Sequence, residues 1–330
     1  MAEASAQESE ALRDRVRGGD RRALAQLITR IESTRSEEAA FGHEVLEALV
    51  PDTGKAIRVG ITGPPGVGKS SFIERLGLSL VERGHRVAVL AVDPSSPVSG
   101  GSILGDKTRM DELAREERAF VRPSPSSGSL GGVAHRTREA MLVCEAAGYD
   151  VVLIETVGIG QSEVAVASMV DFFLVLLLPA GGDELQGIKK GVMELADALV
   201  VNKADGDTAP AAERTRVEYE GALGLIRAAS PSWQPLALSA SALEGTGVPE
   251  VWEAVLDHRS KLTETGELAS RRRQQNRAWL WTLVDETLQR SFREHPGVAA
   301  EIAGLEAAVE TQQTTPAAAA RALLATFQSR

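Results

Sequence analysis

Gly63-Pro64-Pro65-Gly66-Val67-Gly68-Lys69-Ser70 satisfies the pattern G-x-x-x-x-G-K-[ST] in full, between an apolar run at 57–62 and a helical pattern at 70–83. The chemistry this suits is phosphate binding. Glycines let the backbone wrap closely around phosphate oxygens, and free amides at a helix N-terminus add donors and positive potential. Gly63, Gly66, Val67 and Gly68 would form the cradle. Lys69 is placed to reach the β- and γ-phosphates, and the Ser70 hydroxyl to ligate Mg²⁺. A glycine-rich turn matching by accident has no reason to stand between a strand and a helix.

Asn202-Lys203-Ala204-Asp205 closes the apolar run 198–201, about 135 residues beyond the phosphate loop. It fits the base-reading pattern N-K-x-D. A carboxylate at Asp205 can accept from both N1–H and the exocyclic amine of guanine. Adenine offers neither donor at those positions and would leave the carboxylate unpaired. Asn202 and the Lys203 stem would brace the loop and cover the base. Ser239-Ala240, after the next strand, fits the last guanine-contact element, in which a backbone amide meets the base oxygen. The expected ligands are GTP and GDP rather than ATP.

Further carboxylates stand where strands should end. Asp93 follows the run 86–92, and Glu155 follows 151–154. Glu155-Thr156-Val157-Gly158 is a variant of the D-x-x-G switch, in which an acid holds the metal's water shell and the glycine amide (here Gly158) senses the γ-phosphate. The extra methylene of Glu155 favours contact through water over direct ligation. Asp106 is either a switch carboxylate or the cap of a helix at 107–115. Gln161 has the wrong offset for a water-orienting glutamine, and Arg109 reads most simply as a solvated arginine. The loop 179–190 is glycine-rich and lies at the carboxyl edge of a strand, the ligand edge of a doubly wound sheet. Its Asp183, Gln186 and Lys189 could respond to nucleotide, and Lys189 joins Lys69, Asp93, Asp106 and Glu155 as a catalytic candidate.

These groups need a scaffold, and the pattern of apolar runs supplies one. Runs at 57–62, 86–92, 151–154, 172–178, 198–201 and 235–238 alternate with helical stretches at 70–83, 136–147, 187–195 and 209–228. Continuous apolar strands between helices predict an α/β fold with a doubly wound, mostly parallel sheet covered on both faces. The first 55 residues and the region from 248 onward read as helical. A single core at 56–257 is therefore expected, with helical extensions at 1–55 and 258–330. The serine- and glycine-rich stretches 94–104 and 123–132 read as loops of the kind that carry function.

Composition narrows the partners. The 330 residues include 46 acidic and 36 basic side chains, a net charge of −10, and only 4% are aromatic. Neither figure suits a general nucleic-acid binder or a protein drawn to anionic membranes. The longest strongly apolar stretch, 172–178, is far short of the ~20 residues of a membrane span. The polar, acidic start is expected to be neither signal peptide nor presequence. The lone Cys144 excludes an internal disulfide and a cysteine-rich zinc site, which fits a cytoplasmic location. Five scattered histidines show no metal-ligand spacing.

With these motifs in place, the sequence resembles the MeaB/ArgK family of G3E P-loop GTPases. The resemblance rests on VGITGPPGVGKSSFIE, VAVLAVDPSSPVSGGSILGDKTRM, VLIETVGIGQSE and LPAGGDELQGIKKG. It is most specific over 57–205, and the terminal helices match mainly in character. It implies a SIMIBI-class GTPase that works as a homodimer and as a chaperone for adenosylcobalamin-dependent methylmalonyl-CoA mutase. That role would protect the mutase from inactivation and gate its cofactor loading. The resemblance extends the phosphate cradle over 66–71, Ser71 included, and assigns Mg²⁺ to Ser70 with Asp93 or Asp106. It makes 179–190 a further switch and the C-terminal helices a dimer arm. Composition and motifs carry nothing of the cobalamin role. Two other readings compete with this one. A P-loop kinase acting on a small molecule or a transport protein would prefer ATP, against Asp205. A membrane-protein targeting GTPase would need a methionine-rich groove that five scattered methionines do not provide.

Overall fold

The computed structural model describes residues 2–92, 110–122, 130–156, 162–179, 190–225 and 230–328. Among them, seven strands form one sheet: β1 (Ile57–Thr62), β2 (Val87–Val92), β3 (Ala119–Arg122), β4 (Val151–Thr156), β5 (Phe172–Leu177), β6 (Ala198–Val201) and β7 (Leu236–Ser239). Their order is β3-β2-β4-β1-β5-β6-β7, and neighbouring strands pair in parallel throughout. A parallel sheet needs cover on both faces, which is why β2, β4, β5 and β6 are buried at every position.

Alternation along each strand sorts the core into two layers. Val59, Ile61, Val89, Leu153, Phe172 and Leu174 point to one face, against α4 (Lys69–Glu82) and α10 (Val248–Glu264), which contribute Phe72, Leu76, Val251 and Trp252. Leu90, Val152, Ile154, Phe173 and Val175 point to the other, against α6 (Leu130–Ala146) with Val143 and Cys144. The N-terminal helices α1 (Ala2–Arg17), α2 (Arg21–Ile31) and α3 (Ser36–Leu49) belong to this second layer through Val16, Leu24, Leu27, Ile28, Val45 and Leu49. Asp20 caps α2 by accepting from the amides of Arg22 and Ala23.

At the N-terminal edge of the sheet the strands begin in buried ion pairs. Arg58, the second residue of β1, holds both oxygens of Glu145 on α6 at 2.6 and 3.1 Å. Asp171, just before β5, accepts from Arg272 at 2.6 and 2.8 Å and from the Arg58 amide at 3.0 Å. The opposite edge carries the loops with the nucleotide motifs.

The chain forms two compact units, 1–272 and 273–330. The second contains most of α11 (Glu267–Glu294), followed by α12 (Pro296–Glu310) and α13 (Pro316–Gln328). Phe327 packs edge-on against Phe292 and His295 there, and Val298 of α12 is fully buried.

Several expected boundaries differ. β3 is a strand that the sequence pattern did not suggest, since AFVR is four residues long and lies between charged residues and Pro123. α6 starts at Leu130, six residues early, because Gly131-Gly132 reads as loop while the structure continues the helix through it. α9 (Ala209–Leu223) stops at Gly224 instead of running to 228. β4 extends to Thr156 and takes Glu155 into the strand.

Candidate functional site

β1 delivers the chain to the phosphate loop, and α4 leaves it beginning at Lys69. Two glycines are required here by backbone and space. Gly63 has φ +154°, and a Cβ on it would lie 2.6 Å from the Leu176 carbonyl oxygen of β5. Gly68 has φ +90°, and a Cβ there would meet the Asn202 amide at 2.9 Å. The loop is therefore pressed against both the neighbouring strand and the base-reading segment. Lys69 is almost fully buried, and its ammonium donates to the carbonyls of Gly63 at 2.8 Å and Pro64 at 3.2 Å. That places a positive charge inside the turn of the loop.

Ser70 Oγ donates to Glu155 Oε1 at 3.1 Å, joining the first turn of α4 to the end of β4. Beside it, Thr156 Oγ1 donates to Thr62 Oγ1 at 2.7 Å, tying β4 to β1. Glu155 is only 5% exposed, so its carboxylate is aimed inward and not solvated. A hydroxyl and a carboxylate this close are both hard oxygen donors, the ligand type Mg²⁺ selects. The residues present fit that ion.

The base-reading segment is fixed to the phosphate loop from below. Asn202, 1% exposed, donates from Nδ2 to the Val67 carbonyl at 2.8 Å and accepts from the Ala242 amide on Oδ1 at 3.2 Å. Lys203 adopts φ +60°, a conformation that is uncommon for a residue with a side chain and tends to occur where function constrains the backbone. The Ala204 amide bonds the Ala240 carbonyl at 3.0 Å, and the Ala240 amide bonds Val201 at 2.9 Å. Asp205 accepts from Ser241 Oγ, which itself accepts from the Glu244 amide at 3.0 Å. A cavity of about 420 Å³ opens here, lined by Gly68, Ser71, Asn202, Lys203, Asp205 and Ala242 and extending along α4 past Arg75 to Leu78. That volume suits a small ligand.

The structure thus brings Gly63, Gly66, Val67, Gly68, Lys69, Ser70, Ser71, Glu155, Asn202, Lys203 and Asp205 to one end of the sheet. Ala240 braces the base-reading segment through its carbonyl, but its amide, expected to meet the base oxygen, is already bonded to the Val201 carbonyl in the strand ladder. Ser239 does not join them: it is the last residue of β7, and its hydroxyl lies 3.5 Å from Glu213. The serine that reaches Asp205 is Ser241, two residues on, fully buried and missed from sequence. The repeated pair in Ser239-Ala240-Ser241-Ala242 was the available signal, and only the end of β7 decides between its halves. Asp93, Asp106, Gly158 and Lys189, with Arg109, Gln161, Asp183 and Gln186, lie outside the described residues. Among the described residues, no group of three or more His, Cys, Asp or Glu could hold a metal ion.

Comparison with known proteins agrees with this geometry. A family model described as methylmalonyl-CoA mutase-associated GTPase MeaB matches residues 24–297. A putative GTPase of Caulobacter vibrioides is 55% identical over 318 residues, covering 96% of this chain and 97% of that protein. The mouse methylmalonic aciduria type A homolog, a mitochondrial protein, is 47% identical over 322 residues, covering 94% and 78%. A crystal structure described as an LAO/AO transport system kinase superposes with a TM-score of 0.78 at 40% identity, covering 97% of this chain and 98% of that one. The match spans the phosphate loop, the Glu155 strand and the Asn202–Asp205 segment together. The chain belongs to the MeaB family and is a P-loop GTPase.

Proposed function

We propose that this GTPase is a nucleotide-dependent chaperone of an adenosylcobalamin-dependent methylmalonyl-CoA mutase, protecting that enzyme from inactivation and gating its cofactor loading. The observation that carries this reading is the match of a mutase-associated GTPase model over 24–297, which contains every strand of the sheet. The relationship to the mouse methylmalonic aciduria type A homolog supports it. A partner that is a protein, and neither nucleic acid nor membrane, agrees with the net charge of −10. A cytoplasmic setting agrees with a single, buried cysteine.

In this reading residues 63–71 cradle the phosphates, with Lys69 countering the charge of the β- and γ-groups. Ser70 would hold Mg²⁺ directly and Glu155 through water, joined by Asp93 or Asp106. The ion supplies neutralisation of charge between the phosphates when bound. Asp205 accepts from guanine N1–H and the 2-amino group, the Lys203 stem covers one face of the base, Gly158 senses the γ-phosphate, and Lys189 of the loop 179–190 responds to nucleotide.

The test is binding of a purified mutase to this protein with GTP, with GDP and without nucleotide. Nucleotide-sensitive association, with slower loss of mutase activity during turnover, is the expected result. Absence of any association in all three states would refute the mutase assignment while leaving the GTPase intact. The kinase description of the 40%-identical structure favours a second reading, phosphoryl transfer to an acceptor. Competition separates the two, since a kinase of this type should bind ATP more tightly than GTP.

A further inference from the structure

We infer that Arg75 is a positioning residue for guanine recognition: it clamps the turn 241–245 to the phosphate-binding helix and so sets the spacing between phosphate cradle and base reader. This rests on the guanine-nucleotide reading above. Arg75 lies on the outer face of α4, six residues beyond Lys69, or about 9 Å along the helix. Its Nε donates to the Ala242 carbonyl at 3.2 Å, and its Nη2 to the Leu243 carbonyl at 2.9 Å. The stem lies over Gly245, where a Cβ would stand 3.5 Å from Arg75 Cδ.

An arginine on an exposed helix face normally keeps its head in water. Here a rigid planar fork spans two consecutive carbonyls of a turn more than 160 residues away in sequence. That turn carries the groups that orient the base reader. Ser241 holds Asp205, and the Ala242 amide is held by Asn202. Asn202 and Asp205 anchor the turn to the β6 side of the cavity, and Arg75 anchors it to the α4 side. Because α4 begins in the phosphate loop, the Arg75 contact makes one rigid element responsible for both ends of a bound nucleotide. Lysine could supply charge and one bond but not the two-carbonyl span.

The experiment is steady-state hydrolysis of GTP and of inosine triphosphate by the full chain and by its Arg75→Ala and Arg75→Lys variants, with thermal melts of each. Inosine lacks the 2-amino group, so the ratio of the two KM values reports how well Asp205 is aimed. For Arg75→Ala the expected result is a KM for GTP raised about tenfold, as both exposed bonds of the clamp are lost. The KM for inosine triphosphate should rise less, so the ratio falls, while kcat changes by less than KM. Arg75→Lys should recover part of the ratio. An unchanged ratio in Arg75→Ala overturns the inference. So does an equal loss for both nucleotides accompanied by a fall in kcat and melting temperature, which would mark a general packing role. If the unaltered protein shows no preference for guanine over adenine nucleotides, the guanine reading itself has failed, an outcome visible before any variant is made.

Discussion

A carboxylate can discriminate guanine only when both of its oxygens are held in the plane of the base, and at Asp205 the holding comes from Ser241. Changing Asp205 to Asn keeps an acceptor for N1–H but replaces the second oxygen with a donor, which suits the 2-oxo group of xanthine. Asp205→Asn is therefore expected to weaken GDP on the order of 10–100-fold and to favour xanthosine diphosphate, measured by competition binding. An unchanged preference for guanine would remove Asp205 from the base site. The Ser241→Ala change is milder. It leaves the carboxylate in place but less constrained, and strands the Glu244 amide in a part-buried turn. We expect a loss of about 1 kcal/mol in unfolding stability, with a measurable fall in guanine affinity. Lys69→Ala removes the charge held among the loop carbonyls, so hydrolysis should be lost and nucleotide binding weakened. Full turnover in that variant would refute the phosphate assignment.

The strands and helices carry their own consequences, far from the nucleotide. Arg58 and Glu145 are both almost fully buried and pair at 2.6 Å where β1 begins. Glu145→Ala leaves a guanidinium uncompensated in the core, a change that typically costs 3–5 kcal/mol. Urea unfolding should register this, while the KM for GTP stays close to its original value in whatever fraction folds, because the pair sits at the opposite edge of the sheet. On the helical layer, His43 of α3 faces Glu139 of α6 at 2.9 Å, and this hydrogen bond raises the imidazole pKa. A raised folded pKa adds stability below the unfolded value, ~6.5. That contribution is lost as pH climbs through the folded value. The stability gap between the protein and His43→Gln should thus be wider at pH 6 than at pH 8.5, and small, since His43 is partly exposed. A gap independent of pH would show that the pair acts as a neutral hydrogen bond. Elements of this kind mark where sequence reading ends. Apolar runs identified β1, β2, β4, β5 and β6 because strands covered on both faces leave little room for polar residues, β7 because its run stays apolar at the sheet edge, and the phosphate loop because its glycines are dictated by backbone and space. β3 escaped because AFVR lies between charged residues and Pro123, whereas β7, equally short and also at an edge, shows an unbroken apolar run. The buried charges Arg58, Glu145 and Asp171 escaped because each looks like a surface residue until its partner, dozens of positions away, is brought beside it. Ser241 escaped because strand register, not motif, decides which serine meets Asp205.

At the scale of the molecule, the second unit has apolar surface to spare. Leu280, Trp281 and Leu288 on α11 are each more than half exposed, and Val284 completes a stripe at helical spacing, with Leu324 half exposed on α13. Scattered exposed leucines need no explanation, but a tryptophan and two leucines along one helix are costly to leave in water. A second copy of the same chain is the proposed cover, in keeping with a dimer arm in this region. A two-fold interface uses the same patch on both copies, so each substitution counts twice. Full burial of a leucine-sized side chain is worth about 2 kcal/mol, and replacing one such residue by a charge should therefore cost roughly 4 kcal/mol of dimer, about a thousandfold in its Kd. The pair Trp281→Glu and Leu288→Glu, measured by light scattering on the eluting protein, should convert a dimer into a monomer across the micromolar range. The nucleotide groups all lie in the first unit, so the monomer should still bind GDP with unaltered affinity. A variant that remains dimeric would place the interface elsewhere. A monomer that has also lost GDP binding would mean that the two-fold assembly helps to build the nucleotide site, which the single-chain geometry of Lys69, Asn202 and Asp205 argues against.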